Sequence, residues 1–169
     1  MRINKHKVFV SFYHQDDQDY KNYIDKNFGH LIINESVMNG EYDADNSDEY
    51  IKRLIREEKI TNSSVIVVLV GRNTKKRKHV DWEIYAGLRE SINGRAGLIG
   101  VYLPTIEDLP YKEDYIPGRL KDNVDSGYAK MYNWDIFIKR FSYIIDSAFD
   151  SRVNSNLVNN ARKQMQRNK

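Results

Sequence analysis

Four consecutive cations, Lys75-Lys76-Arg77-Lys78, lead into His79-Val80-Asp81-Trp82-Glu83-Ile84. Val80, Ile84 and Leu88 recur every four residues, which makes one apolar helical stripe. Glu83 is the one acid early in that helix and close to its stripe. His79 and Glu83 are four apart and can share a helix face. A carboxylate held there can stabilise positive charge that develops on a ligand. Two ligands do not make a zinc site, and His6, His14, His30 and His79 show no ligand spacing. Read alone, a glutamate on a helix is first a solvated acid, and a cation run is first a solvated loop.

The elements around these residues decide what they can reach. Ser63 to Gly71 is an unbroken β-branched and aliphatic run bounded by Ser and Gly. Such a run suits a strand covered on both faces, as in a parallel sheet. The basic loop follows it, and the helix from about Lys78 to Ile92 follows the loop. Ligands of open α/β sheets bind at the loops leaving the carboxyl ends of strands, so this loop and the first turns of this helix are the candidate site.

Upstream, Val8-Phe9-Val10-Ser11-Phe12 reads as a first strand, and Asp16 or Asp17 as the N-cap of a helix to about Asn27. Tyr20, Ile24 and Phe28 share its inner face, and Gly29 stops it. Leu31-Ile32-Ile33 is a short second strand. A polar connection from Asn34 to Asn46 follows, with the length of a functional loop. Ser47 then caps a helix to about Lys59.

Downstream, Gly97 to Leu103 is a fourth strand. Residues 104–127 hold all three prolines and read as a surface excursion. Tyr128 to Tyr132 reads as an edge strand. Trp134, Ile138, Phe141 and Ile145 give a last helical stripe. Alternating strands and helices predict an α/β, flavodoxin-like, three-layer fold with a mostly parallel central sheet and helices on both faces.

The bulk properties exclude several classes. With 169 residues, the chain fits one domain, and with no cysteine it has no disulfide, thiolate metal site or Cys nucleophile. No apolar run is long enough to span a bilayer, and no signal-peptide region precedes the first strand, so a cytoplasmic location and no membrane partner are expected. Of the net charge of +3, five positive charges lie within residues 152–169 with no acid, which leaves the remainder at −2. Nucleic acid is therefore an unlikely partner for the body, and residues 149–169 read as a basic C-terminal tail, helical or disordered, most simply a solvated end. There is no Gly-rich phosphate loop after the first strand and no Gly-x-Ser-x-Gly elbow. Asp16 and Asp17 imitate the acidic pair of a response-regulator receiver, but the third strand ends in Gly71-Arg72-Asn73 without a phosphorylatable Asp.

The series Val8 to Phe12, Ser63 to Gly71 and Lys78 to Ile84 resembles a TIR domain, in particular the TIR-like proteins of bacterial antiphage defence of the Thoeris ThsB type. The resemblance covers residues 5–148, and its most specific part is Arg77 to Leu88. The chain departs from many TIR domains in having Tyr13-His14 after the first strand, and Asn39 to Asn46 in place of the Arg-Asp and Pro-Gly pattern of adaptor relatives.

The resemblance implies an NAD⁺-consuming enzyme, a nucleosidase or cyclase, with Glu83 catalytic and no cofactor beyond NAD⁺ as substrate. Cleaving the nicotinamide–ribose bond builds an oxocarbenium-like transition state that one carboxylate near the ribose can stabilise. Phe12, Tyr13 and Trp82 are candidate shelf residues for nicotinamide, Arg77 and Lys78 candidates for the pyrophosphate, and Asp45, Asn46 and Ser47 candidate lid residues. Each has a plainer reading: Phe12 and Trp82 as packing, Arg77 as solvated loop, Asp45 and Asn46 as turn residues. The product implied is a cyclic or conjugated ADP-ribose that activates a separate effector protein, with a phage component as trigger and self-association on activation. The alternative is a non-catalytic TIR-type interaction module that works by self-association through Pro104 to Pro117 and Asn34 to Asn46. A base-exchange or nucleoside-transfer enzyme is a third reading.

Overall fold

A computed structural model describes residues 5–35, 49–92 and 94–169. The loop residues Asp45, Asn46 and Ser47 lie outside the described residues. Five strands form one sheet: β1 (His6–Ser11), β2 (Ile32–Asn34), β3 (Val65–Val70), β4 (Gly97–Tyr102) and β5 (Lys130–Asn133). All four pairings are parallel, in the order β2-β1-β3-β4-β5. The helices are α1 (His14–Phe28), α2 (Glu49–Thr61), α3 (Lys78–Leu88), α4 (Gly118–Asp125), α5 (Trp134–Lys139) and α6 (Phe141–Asp150). This is the flavodoxin-like α/β architecture expected from the sequence.

Period-two alternation sorts the strand residues into two cores. Val8, Val10, Val65, Val67 and Leu69 point to the layer that holds Ile24 of α1, Phe137 of α5 and Ile144 of α6. Phe9, Ile66, Val68 and Val70 point to the layer that holds Ile60 of α2, Ile84 of α3 and Leu120 of α4. Every residue of β3 and β4 is buried, as expected of strands covered on both sides. On the α3 side the packing is close: a Cβ at Gly87 would overlap the Ile66 side chain.

Several boundaries differ from the sequence expectation for local reasons. Neither Asp16 nor Asp17 caps α1; the helix starts at His14 behind Tyr13, and both acids stand in its first turn, where they suit the helix dipole. Helix α3 ends at Leu88 rather than near Ile92. Arg89 turns extended, Gly94 takes φ +81°, and Ile92 is fully exposed, so the apolar residue at 92 belongs to a turn. The excursion at 104–127 contains α4, whose Arg119, Leu120 and Asn123 are buried. The stripe from Trp134 to Ile145 is carried by two helices, broken at Arg140 with φ −120° and ψ 30°. The edge strand falls at Lys130–Asn133 rather than Tyr128 to Tyr132.

Residues 151–169, read from sequence as a basic end, make two short 3₁₀ turns at Ser151–Val153 and Ser155–Leu157 and then run along the outside of α4 and α3. Leu157 and Val158 pack against the α3-side core. Among the described residues, no helix is long and apolar enough to cross a membrane.

Candidate active site

Strand β1 leads outward to β2 on one side, and the chain returns to β3 on the other. The order therefore reverses between β1 and β3, and the crevice outside their carboxyl ends is the place where this architecture binds ligands. Ser11 ends β1 on the same face as Phe9, beneath α3. Glu83 and His79, one turn apart on α3, face the same region. Arg56 of α2 places a cation close enough to lower the pKa of both.

Glu83 is buried, with 4% of its surface exposed, and is not a solvated helix acid. Burial raises its pKa from 4.5 to about 8; the Arg56 charge and the Ser11 hydroxyl oppose that rise without cancelling it. Ser11 Oγ is buried with no partner in full hydrogen-bond geometry, so its dipole favours the Glu83 anion without a formed bond. Near neutral pH the carboxyl is mostly protonated, and an added positive charge nearby would ionise it.

His79 Nε2 lies 3.0 Å from Phe12 O and 4.0 Å from Glu83 Oε1. Burial lowers its pKa to about 3; the Phe12 carbonyl pulls the other way, and Arg56, His14 and Arg77 add to the lowering. The ring is therefore neutral. A carbonyl only accepts, so Nε2 carries the proton and donates it to Phe12 O. This bond ties the turn after β1 to the first turn of α3. His79 is thus a satisfied histidine and also a neighbour of Glu83.

The other residues singled out from sequence are distributed. Phe12 is buried in the α1-side core, with the His14 ring 4.2 Å away, centroid to centroid. Tyr13 is half-buried; the Arg77 guanidinium lies 4.4 Å from its ring centre, and its hydroxyl donates to Gln15 Oε1 at 2.7 Å. Arg77 Nε is buried without a hydrogen-bond partner, so that cation is only partly satisfied by the protein. Trp82 turns to the outer side of α3 and donates Nε1–H to Met165 O at 2.8 Å, with Lys78 Nζ 5.1 Å from its ring centre. The structure thus gathers Tyr13, Arg77, His79 and Glu83 around the β1–β3 crevice and joins Trp82 to the 151–169 segment.

Two contributors were not singled out from the sequence, although both carried a signal. Ser11 is a polar residue at an inward position of a buried strand. Arg56 is four residues before buried Ile60, on its helix stripe. Asp17, read from the sequence as a helix cap or as half of a receiver-like acidic pair, is buried in the first turn of α1, and its pKa is raised to about 6 by burial and by Asp16. Its Oδ2 has no partner, and a Cβ at Gly71 would stand 2.5 Å from that oxygen, so the turn after β3 needs a residue without a side chain. Thr74 closes the same turn: Gly71 N–H donates to Thr74 Oγ1 at 2.8 Å, and Thr74 Oγ1 donates to Leu69 O at 3.2 Å. Among the described residues, no group of three His, Asp or Glu side chains could hold a metal ion.

Residues 9–108 match the family described as Thoeris protein ThsB, TIR-like domain. The chain is also 32% identical over 109 residues to a Bacillus cereus (strain MSX-D12) protein named "Putative cyclic ADP-D-ribose synthase ThsB1". That alignment takes in 60% of this chain and 54% of the relative, so the chain spans about half the length of the curated protein it matches.

Proposed function

The chain belongs to the TIR-like domain family of Thoeris protein ThsB, and from that premise we propose that it is an NAD⁺-consuming enzyme which makes an ADP-ribose-derived signalling nucleotide in bacterial antiphage defence. The observation that carries the reading is Glu83, a buried carboxyl with a raised pKa beside Ser11, His79 and Arg56 at the β1–β3 crevice. A raised pKa at a cleft marks a candidate functional group. The relative's name, a cyclic ADP-ribose synthase, supports the substrate class.

The chemistry follows from the environment. NAD⁺ carries its positive charge on the nicotinamide ring, and that charge near Glu83 drives the carboxyl to ionise, its proton leaving to solvent. As the bond between ribose C1′ and the ring nitrogen breaks, the electron pair goes to the nitrogen and neutral nicotinamide leaves. The positive charge moves to C1′ and its ring oxygen. A carboxylate already shielded from water stabilises that charge without solvent reorganisation. An acceptor hydroxyl then attacks C1′, and Glu83, whose site favours the acid form, takes its proton.

Neutral His79 cannot compete for the anion. It fixes the helix to the β1 turn, which keeps the carboxylate in place. Arg77 and Arg56 give the crevice a positive rim suited to a pyrophosphate. A ribose hydroxyl as acceptor gives a cyclic product, water gives ADP-ribose, and another molecule gives a conjugate. Self-association and an effector reached through the product belong to the same proposal.

The test is mass spectrometry of nucleotides from phage-infected cells that express the chain, beside cells that express Glu83→Gln. The reading expects an ADP-ribose derivative and free nicotinamide only with Glu83 present. The same nucleotide pool in both, with protection from phage kept, would contradict it and favour the interaction-module alternative.

A further inference from the structure

Helix α3 is held from both sides. Its inner face packs on the sheet through Val80, Ile84 and Leu88. Its outer face, at Lys78, Asp81, Trp82 and Tyr85, is gripped by residues 159–169. Those four positions follow helical spacing and lie opposite the sheet. Asn160 Nδ2 donates to Tyr85 O at 3.1 Å. Met165 N–H donates to Asp81 Oδ2 at 2.9 Å, and Met165 O accepts from Trp82 Nε1 at 2.8 Å. Lys78 N–H donates to Asn168 Oδ1 at 2.8 Å, and Lys169 N–H donates to Lys76 O at 3.0 Å.

Two features single out this strap. First, the residue at the cap position of α3, Arg77, makes no side-chain cap, although the first turn of a helix needs acceptors for its free N–H groups. Asn168 supplies one of them from 90 positions away. Second, a buried pin joins the strap to the helix. Arg119 of α4 is wholly buried and donates from Nε to Asp81 Oδ1 at 2.9 Å and from one terminal nitrogen to Asn160 Oδ1 at 3.0 Å. Asp81 therefore accepts from α4 and from the strap at once, two residues before Glu83.

We infer that residues 159–169 are a positioning strap for α3, which holds the helix against β1 and so keeps Glu83 and His79 in their water-excluded setting. Asn168, Met165 and the Asp81–Arg119 pair are its positioning residues. Past Val158 the strap is held by hydrogen bonds and by the Arg162–Asp122 ion pair, and only Asn160, Gln164 and Met165 are partly out of water, so its last residues can be removed without opening either core. The groups that face Glu83 from the packed elements are His79 on α3, Ser11 on β1 and Arg56 on α2, and none belongs to the strap. Any effect of the strap on Glu83 therefore acts through the seating of α3 and the access of water.

The experiment compares the full chain with one shortened to residues 1–163, by amide exchange and by carbon NMR titration of the glutamate side chains, with Glu83→Gln to assign the signal. Neither readout depends on NAD⁺ cleavage. The strap predicts that the shortened chain keeps its circular dichroism, that amides of α3 exchange at least about tenfold faster, as expected for loss of a cap and two tethers, and that the Glu83 pKa falls by more than about one unit as water enters. Unchanged exchange and an unchanged titration would overturn it.

If the shortened chain does not fold, Asn168→Ala decides. About fivefold faster exchange at Lys78 supports the strap, and no change overturns it. In kinetics, where the inference rests on the proposed NAD⁺ chemistry, shortening lowers kcat more than it changes KM. Failure of NAD⁺ cleavage in both chains would sink the functional reading and leave the strap to be judged on exchange and titration.

Discussion

Glu83 Oε1 stands 4.0 Å from His79 Nε2, one helical turn away, and the two groups are shifted in opposite directions by the same burial. The acid holds its proton up to about pH 8, and the imidazole refuses one down to about pH 3. Near neutral pH the pair is mostly uncharged, and the site gains its full negative charge when something favours the anion or the pH rises past about 8.

The acid carries a cost that a neutral isostere avoids. Its folded pKa, about 8, lies above the ordinary 4.5, so the folded state binds its proton more tightly and stability falls as pH rises from about 4.5 to about 8. Glu83→Gln is expected to match the native chain near pH 4.5 and to exceed it by a few kcal/mol above pH 8. Thermal unfolding across that range measures the difference.

The proposed chemistry has a pH signature. The kcat/KM for nicotinamide release reports the free protein, so it rises with pH and levels off near pH 8. In kcat the same limb moves to lower pH, because bound NAD⁺ brings a cation beside the carboxyl. A pH profile flat from 5 to 9 in both parameters would separate Glu83 from the chemistry.

His79 stabilises the fold in its neutral form. Its folded pKa is depressed from 6.5 to about 3, so the contribution is present above pH 6.5 and is lost as pH falls through that interval. His79→Ala is expected to destabilise by about 1–3 kcal/mol at pH 7, through the lost bond to Phe12 O and the space left behind. Because the variant has no imidazole to protonate, it loses less stability than the native chain between pH 7 and pH 4. Denaturant titrations at the two pH values test both statements.

Asp81 and Arg119 form a buried ion pair with side chains 5% and 0% exposed. Removing one partner leaves the other charge without compensation. Arg119→Met is expected to destabilise by about 3–5 kcal/mol, and the double change Asp81→Asn with Arg119→Met by less than the two single changes together. A double-mutant cycle of unfolding free energies reads the coupling.

Most of the fold was legible because its signals are local. The unbroken run Ser63 to Gly71, the stripe Val80, Ile84 and Leu88, and the strand–helix alternation each report burial directly. The ends of elements were less legible. Nothing in the residues up to Ile92 shows that Arg89 leaves the helix, and the stripe from Trp134 to Ile145 reads straight across the break at Arg140.

The candidate site divides in the same way. Glu83 stood out through its place beside an apolar stripe. Ser11 and Arg56 reach it only because β1 and α2 are brought against α3 by the sheet order, which no local window contains. The strap was the least legible part. Its basic, Asn-rich composition reads as a solvated end, and among the partners that hold it, Asn123, Arg119, Asp81, Trp82 and Lys78 lie 36 to 90 residues away in sequence.

If Glu83 carries NAD⁺ cleavage, nicotinamide release from NAD⁺ by lysates of phage-infected cells separates the native chain from Glu83→Gln. The native chain is expected to release nicotinamide and the variant to lose at least about a hundredfold, the scale expected when a preorganised charge-stabilising group is removed, with the variant at least as stable to heat. Equal release from both chains would contradict that role for Glu83.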